Sequence, residues 1–311
     1  MCVGSWVGRS REELWMARGE HIYVRRRGVY THHGVDAGDG TVIHFTGEPG
    51  SKRHAAIART PIEEFLSGGE CRVRRYGARD DADVTIARAE SQLDATGYHL
   101  AINNCEHFAT WCCTGRKASE QVRGATSLTA HGAVAGGTFA ASTGIVGSMG
   151  LVAGVSGPGI MSGLASAGGA VGAGAAMGPA VLGVLPATLS VGITRHALRD
   201  DASLPSDERD ARRDGRWASV GGAGVATAGG VVAISATGTA GLSAAGITTG
   251  LAAIGATVGG GMAAGTAMLV AAPAVAAAGL GLGAFAVSKK LRRTRGAGED
   301  LPEGPGDPAP M

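Results

Sequence analysis

The feature that most constrains this chain is the absence of charge over two long stretches. From Gly124 to Thr194, and again from Trp217 to Ser288, there is no Lys, Arg, Asp or Glu, and His131 is the single ionisable side chain. Each stretch is far longer than the roughly 20 residues that one membrane span needs. A flexible soluble linker would carry polar or charged residues, and a soluble helical bundle would need a polar face. The composition is Gly, Ala, Val, Ser and Thr with little Leu, Ile or Phe, so insertion would depend on helices packing together. Glycines four apart recur: Gly150/Gly154, Gly168/Gly172, Gly174/Gly178, Gly246/Gly250, Gly255/Gly259 and Gly261/Gly265. That spacing stacks small residues on one helix face and favours association in lipid. The expectation is an all-α, Gly/Ala-rich membrane region of two helical hairpins, 124–194 and 217–288. Their turns fall near Pro158 and near Gly238, and the glycine faces offer a route to self-association. Three spans per stretch fit the same lengths.

Charge collects between and after these stretches. Residues 195–216, read as a charged loop, contain six arginines, and residues 289–311 open on Lys289, Lys290, Arg292, Arg293 and Arg295 before a Gly/Pro/acidic tail. That tail is too polar to bury a core and is expected to be disordered. The positive-inside rule puts the loop, the basic cluster and the N-terminal part on the cytoplasmic side of a membrane.

Residues 1–123 carry the ordinary mixture of a folded domain. The net charge of +2 and 4% aromatic content give no footprint for nucleic acid. Five cysteines (Cys2, Cys71, Cys105, Cys112, Cys113) are an odd number with two adjacent, and the first residues, MCVGSWVGRSREELW, lack a signal peptide's apolar core. A reducing, cytoplasmic setting fits this pattern better than a disulfide framework.

Within this domain His21–Val24, Gly28–Val35 and Thr41–Phe45 read as strands, with a turn at Gly38-Asp39-Gly40. His32 and His44 therefore lie on the two arms of a hairpin. A two-residue loop would point them to opposite faces. A three-residue loop pairs Gly34 with His44 and makes His32 a diagonal neighbour on the same face, roughly 7–8 Å away between backbones. Further on, Asn103-Asn104-Cys105-Glu106-His107-Phe108 reads as a helix start, with Asn as N-cap, an apolar face at Phe108, Trp111 and Cys112, and Gly115 as stop. Cys105 then occupies the first turn, where the helix dipole favours the nucleophilic thiolate. A nearby imidazole as base and a second polar group to orient it would complete an acyl-transfer site, roles that His32 and His44 fit.

The run Arg27-Gly-Val-Tyr30-Thr-His32-His-Gly34, then Gly38-Asp39-Gly40-Thr-Val-Ile-His44, then Asn104-Cys105-Glu106-His107-Phe108 resembles the lecithin:retinol acyltransferase family over roughly residues 17–118. The resemblance implies an α+β, permuted papain-like domain with a small antiparallel sheet and a nucleophile helix. It implies Cys105 as nucleophile, His32 and His44 as its histidines, and Arg27 and Tyr30 as candidates for the oxyanion or substrate. It further implies a lipid acyl donor, water or a small molecule as acceptor, and no cofactor. One departure is His33, which stands where an aromatic residue is common; strand alternation lets either His32 or His33 face the site.

The plainer readings run alongside. His21, His54, His99, His131 and His196 read as surface or satisfied core groups, and Cys71, Cys112 and Cys113 as core or helix surface. His107, two positions after Cys105, cannot share its helix face and reads as structural. A zinc site from His32, His44 and Cys105 lacks the usual ligand-pair spacing, so no metal is expected. A cysteine peptidase or amidase would use the same residues. A non-catalytic, membrane-perturbing or assembly protein would leave Cys105 inert.

Overall fold

A computed structural model describes residues 18–26, 30–46, 55–239 and 241–299. The β-rich segments form strands β1 (His21–Arg25), β2 (Thr31–Asp36) and β3 (Thr41–Phe45), followed by β4 (Ile57–Pro61), helix α1 (Ile62–Leu66) and β5 (Cys71–Val73). They make one antiparallel sheet in the order β4-β3-β2-β1-β5. The β2–β3 hairpin takes the three-residue register, with Gly34 opposite His44 and Val35 opposite Ile43. Its loop turns through Gly38 and Gly40, at φ +81° and +83°, conformations that cost glycine little. The Asp36 carboxylate accepts from the Gly38 N–H at 2.7 Å and fixes the turn.

Alternation along the strands gives the sheet two buried faces. On one, Ile22, Val24 and Val42 pack with Ile62, Phe65 and Leu66 of α1. On the other, Val35, Ile43, Phe45 and Ile57 pack with Ala89 of α2 (Ala82–Glu90) and with Cys105, Phe108, Ala109 and Cys112 of α3 (Cys105–Thr114). Phe45 and Phe65 are each 1% exposed, so each face has an aromatic anchor worth about 1.5–3 kcal/mol of burial.

The chain divides into two units, one within Met1–Ala125 with Asp201–Ser206, the other within Thr126–Asp200 and Asp207–Met311. The uncharged stretches fold as helices, but each contains three rather than the two of a simple hairpin. The first holds α4 (Glu120–Met149), the short α5 (Gly157–Gly169), a 3-10 turn (Ala175–Met177) and α6 (Gly178–Ala197). The second holds α7 (Ser206–Thr237), the short α8 (Ala244–Ala256) and α9 (Met262–Glu299). Among the described residues, three helical segments, Ala175–Ala197, Ser206–Thr237 and Met262–Arg292, are long and apolar enough to cross a membrane.

Three expectations change here. The charged segment 195–216 is not a loop throughout: α6 runs to Ala197 and α7 starts at Ser206, whose following acidic pair Asp207 and Glu208 suits a helix N-terminus. The basic cluster after Ser288 continues α9 to Glu299, and residues 300–311 of the tail lie outside the described residues. Of the six glycine pairs only Gly246/Gly250 lies within one helix, because turns at positions such as Gly172 and Gly259, at φ +72° and +73°, interrupt the others. Close backbone approach survives without that face. A Cβ on Gly163 would meet the Val146 carbonyl oxygen at 1.9 Å, and one on Gly250 the Ile234 carbonyl oxygen at 2.2 Å.

Candidate active site

Cys105 is the first residue of α3, and the local sequence dictates why the helix begins there. Asn104 is extended (φ −98°, ψ 176°), and its Oδ1 accepts from the His107 N–H at 2.9 Å. In return the Asn104 N–H donates to His107 Nδ1 at 3.4 Å. This is a capping box with histidine in the place usually taken by Glu or Gln. The reciprocal bond needs an unprotonated Nδ1, and burial does lower the His107 pKa, against a smaller opposing pull from Glu106. His107 is thus structural, and Gly115 in the left-handed region closes the helix.

The Cys105 thiol is fully buried. Tyr30 Oη lies 3.4 Å from Sγ, and the Thr31 carbonyl accepts from the thiol at 3.9 Å. Burial first, then the neighbouring Cys105, raises the Tyr30 pKa far above the phenol range, so Tyr30 is a neutral hydroxyl beside the sulfur. Arg27, the other candidate for this position, lies outside the described residues.

His32 and His44 meet each other. His32 Nε2 lies 2.9 Å from His44 Nδ1, and the rings are edge-to-face with centroids 4.9 Å apart. His44 Nδ1 is also 2.9 Å from the Phe45 carbonyl, and His44 Nε2 is 2.9 Å from the Thr60 hydroxyl. A carbonyl only accepts, which assigns the His44 proton to Nδ1 and makes Nε2 the acceptor of the Thr60 O–H. Both rings pack on Phe65, with centroid distances of 5.1 Å. Gly34 makes room for this: a Cβ there would fall 2.5 Å from Val42 Cγ1 and 3.1 Å from His44 Cβ and Phe65 Cε2.

The pair therefore shares the sheet face of Gly34, Val42 and α1, whereas Cys105 packs among Val35, Ile43 and Phe45 on the face of α3. Among the described residues, the hydrogen-bond partners of the thiol are Tyr30 and Thr31, and no imidazole bonds to it. The structure brings His32 to His44 and Tyr30 to Cys105, but not the first pair to the second.

Alternation sends His33 to the α3 face, where it joins a buried network of residues that lie far apart along the chain. His33 Nδ1 is 2.8 Å from His21 Nε2, and His21 Nδ1 is 2.6 Å from Tyr76 Oη. His33 Nε2 receives the Thr31 hydroxyl at 2.7 Å and the Gln121 amide at 3.3 Å. One proton per ring satisfies the chain: Gln121 and Thr31 donate to His33 Nε2, His33 Nδ1–H to His21, and His21 Nδ1–H to Tyr76, whose hydroxyl donates to Thr110. Burial, then His33, Arg74 and Arg79, lowers the His21 pKa well below its ordinary value, as neutral rings require. Beside it, buried Glu106 accepts from the Ser119 hydroxyl at 2.5 Å and the Gln121 N–H at 3.1 Å, with Arg74 3.6 Å away. The Gln121 side chain also brackets the Thr31 backbone, accepting its N–H and donating to its carbonyl. The one signal for this cluster was the His32-His33 doublet itself, since a strand must split it between faces. Among the described residues, no three His, Cys, Asp or Glu side chains converge as a metal would require.

Comparison with known proteins bears on the same segment. Residues 15–118 match the family model described as lecithin retinol acyltransferase. The chain is 30% identical to the rat protein named lecithin retinol acyltransferase over 132 aligned positions, covering 33% of this chain and 57% of the relative. The bovine protein of that name is 31% identical with the same coverage, and the mouse protein is 36% identical over 72 positions, 22% of this chain and 31% of the relative. The chain thus spans little more than half the length of the curated relatives it matches.

Proposed function

This chain is a member of the lecithin retinol acyltransferase family through its N-terminal domain, and from that premise we propose that it takes acyl groups from lipid esters onto Cys105. The observation that carries this reading is the thiol at the first residue of an Asn104-capped helix with the Tyr30 hydroxyl 3.4 Å away. The sulfur attacks the ester carbonyl, the oxyanion collapses, and the carbon–oxygen bond to the lipid alcohol breaks. The thiol proton leaves with that alcohol, and an acyl thioester remains. Water, an amine or an alcohol then attacks the thioester and restores the thiol. The Tyr30 hydroxyl is a donor for the oxyanion, as is Arg27 by resemblance. The permuted papain-like fold belongs to this proposal, as does seating of the apolar unit in a bilayer with the catalytic domain on the cytoplasmic side.

The proton carrier in this reading is His32, oriented by His44. Cys105 adjoins the Thr31 carbonyl at the start of β2, one residue from His32, so the catalytic state requires that end of the strand to turn the His32 ring toward the sulfur. A second reading follows from the sheet faces: His33, on the α3 side, is the base.

Intact-mass analysis after incubation with phospholipid tests both. The expected result is an acyl adduct mapped to Cys105, absent in Cys105→Ala. His32→Ala should slow its formation by about 10²–10⁴-fold, the usual worth of a general base. Loss on His33→Ala with His32→Ala active would transfer the role to His33. An adduct that persists in Cys105→Ala would end the thiol reading.

A further inference from the structure

We infer that the apolar unit is a tandem duplication of one helix–short helix–helix element, and that both copies enter the bilayer in the same sense, with their uncharged tips leading. The second clause rests on the membrane seating proposed above; the duplication does not.

Residues 154–187 and 241–274, offset by 87 positions, are identical at 17 of 34 sites without a gap. Composition alone would match many glycines and alanines, but the matches include Ser156/Ser243, Ile160/Ile247, Leu164/Leu251, Val171/Val258, Leu182/Leu269 and Pro186/Pro273. The conformations match as well. Gly154 and Gly241 both stand at φ +110°. Ser156 and Ser243 both cap the short helices, accepting from Gly159 and Gly246. α5 and α8 each have 13 residues, and Pro186 and Pro273 each sit inside the following long helix.

Packing repeats too. The Gly163 position abuts the Val146 carbonyl as Gly250 abuts Ile234, and Gly178 abuts Leu164 as Gly265 abuts Leu251. Val146, Ile160 and Leu164 share one core cluster with their counterparts Ile234, Ile247 and Leu251; in the long helices before the tips the offset is 88, because the first copy has one more residue before Gly154 than the second has before Gly241. A Cβ on Gly183 would lie 3.2 Å from the carbonyl oxygen of its own equivalent, Val270. Equivalent positions meeting each other are the mark of two copies facing across a pseudo-twofold axis. The relation also accounts for an orphan. His131 bonds Thr194 Oγ1 at 3.0 Å; its counterpart Ser219 packs against Gly281, which stands where the first copy has Thr194. With the hydroxyl gone from that position, the buried Ser219 Oγ has no partner among the described residues.

Duplication fixes the membrane topology. α4 is not among the three segments apolar enough to cross by themselves, but it is the equivalent of α7, and on that ground we assign it the second span of its copy, so that each copy is a hairpin of two long helices. Its tip is a helix of 13 residues, about 20 Å long and short of the roughly 30 Å hydrocarbon thickness. The tips (150–178 and 238–265) hold no charged residue, whereas charge is confined to segments before 124, between 195 and 216, and after 288. Moving the charged ends across a bilayer is costly and moving the tips is not. Two hairpins of one sense satisfy this; one inverted copy would not.

The test uses the full chain in sealed liposomes with Val155→Cys and Leu242→Cys, equivalent tip positions that are 60% and 50% exposed. A membrane-impermeant maleimide is added outside and quenched, then trypsin is added outside, and the apolar fragments are read by mass. Because mass locates the label, the native cysteines stay. Molecules cut by external trypsin in the 195–216 segment should be unlabelled at both positions, and both should label once detergent is added. Label at either tip in externally cut molecules would overturn the proposal, and label at one alone would make the copies inverted. A chain that fails to float with the liposomes would instead end the membrane reading.

Discussion

Asn104 offers the sharpest test of how α3 is held. Its side chain is 3% exposed and makes three bonds: Oδ1 accepts from the His107 N–H at 2.9 Å, and Nδ2 donates to the Leu100 carbonyl at 2.9 Å and to Ser119 Oγ at 3.4 Å. Loss of an N-cap costs about 1 kcal/mol, within 0.5–2. The two donations add about 0.5–1.5 kcal/mol each, at the low end here, since Leu100 lies in an exposed turn and Ser119 keeps its bond to Glu106. Asn104→Ala should therefore cost about 2 kcal/mol, and Asn104→Ser, which keeps the cap and loses the amide, about 1 kcal/mol. The readout is hydrogen exchange by mass spectrometry on the peptide spanning α3. At 1.4 kcal/mol per factor of ten, protection should fall about thirtyfold in the alanine variant and about fivefold in the serine variant. Equal loss in both variants would show that the cap contributes nothing, and unchanged protection in the alanine variant would refute the account of α3.

Gly34→Ala should destabilise the N-terminal domain by about 1–3 kcal/mol in urea denaturation, since its Cβ would fall 2.5 Å from Val42 Cγ1 in a closed layer. His21 is neutral in the fold with a lowered pKa, so its contribution is fully present above the unfolded value of about 6.5 and is lost as pH falls below it. The stability difference between the native chain and His21→Asn should shrink from pH 7 to pH 5; a constant difference would contradict the tautomer chain. Asp36 runs the other way: burial raises it to about 6 against the Gly38 hydrogen bond, so its contribution fades as pH rises from about 4 through 6, and Asp36→Asn should flatten that limb. Glu106→Ala strands the Ser119 hydroxyl and the Gln121 N–H and should cost about 2–4 kcal/mol, measured by the same denaturation.

Local signals carried much of this fold. The Gly38-Asp39-Gly40 turn and the β-rich runs around it specify the hairpin and its register, and Asn104 with Gly115 brackets α3. What sequence spacing leaves open is which side of the sheet a helix covers. The register that brings His32 to His44 is compatible with α3 on either face, and long-range packing of Val35, Ile43 and Phe45 on Phe108 makes the choice. His33 and His21, twelve residues apart, become neighbours only through β1–β2 pairing, and Glu106, Ser119 and Gln121 meet only because the chain turns back after Gly115. The 87-residue period is present in the sequence but is overlaid by the four-residue glycine spacing. Turns at Gly172 and Gly259 then broke the shorter pattern.

The buried sulfur has a kinetic consequence for anything that reacts with it. With none of its surface exposed, Cys105 meets an alkylating probe only in those molecules where the cover over it has moved aside. Observed rates are then the intrinsic rate multiplied by the open fraction, about 1% if opening costs about 2.7 kcal/mol. The same enclosure keeps the thiol from oxidants while it is closed. A lipid surface that favours the open form would raise reactivity without altering a single reacting group.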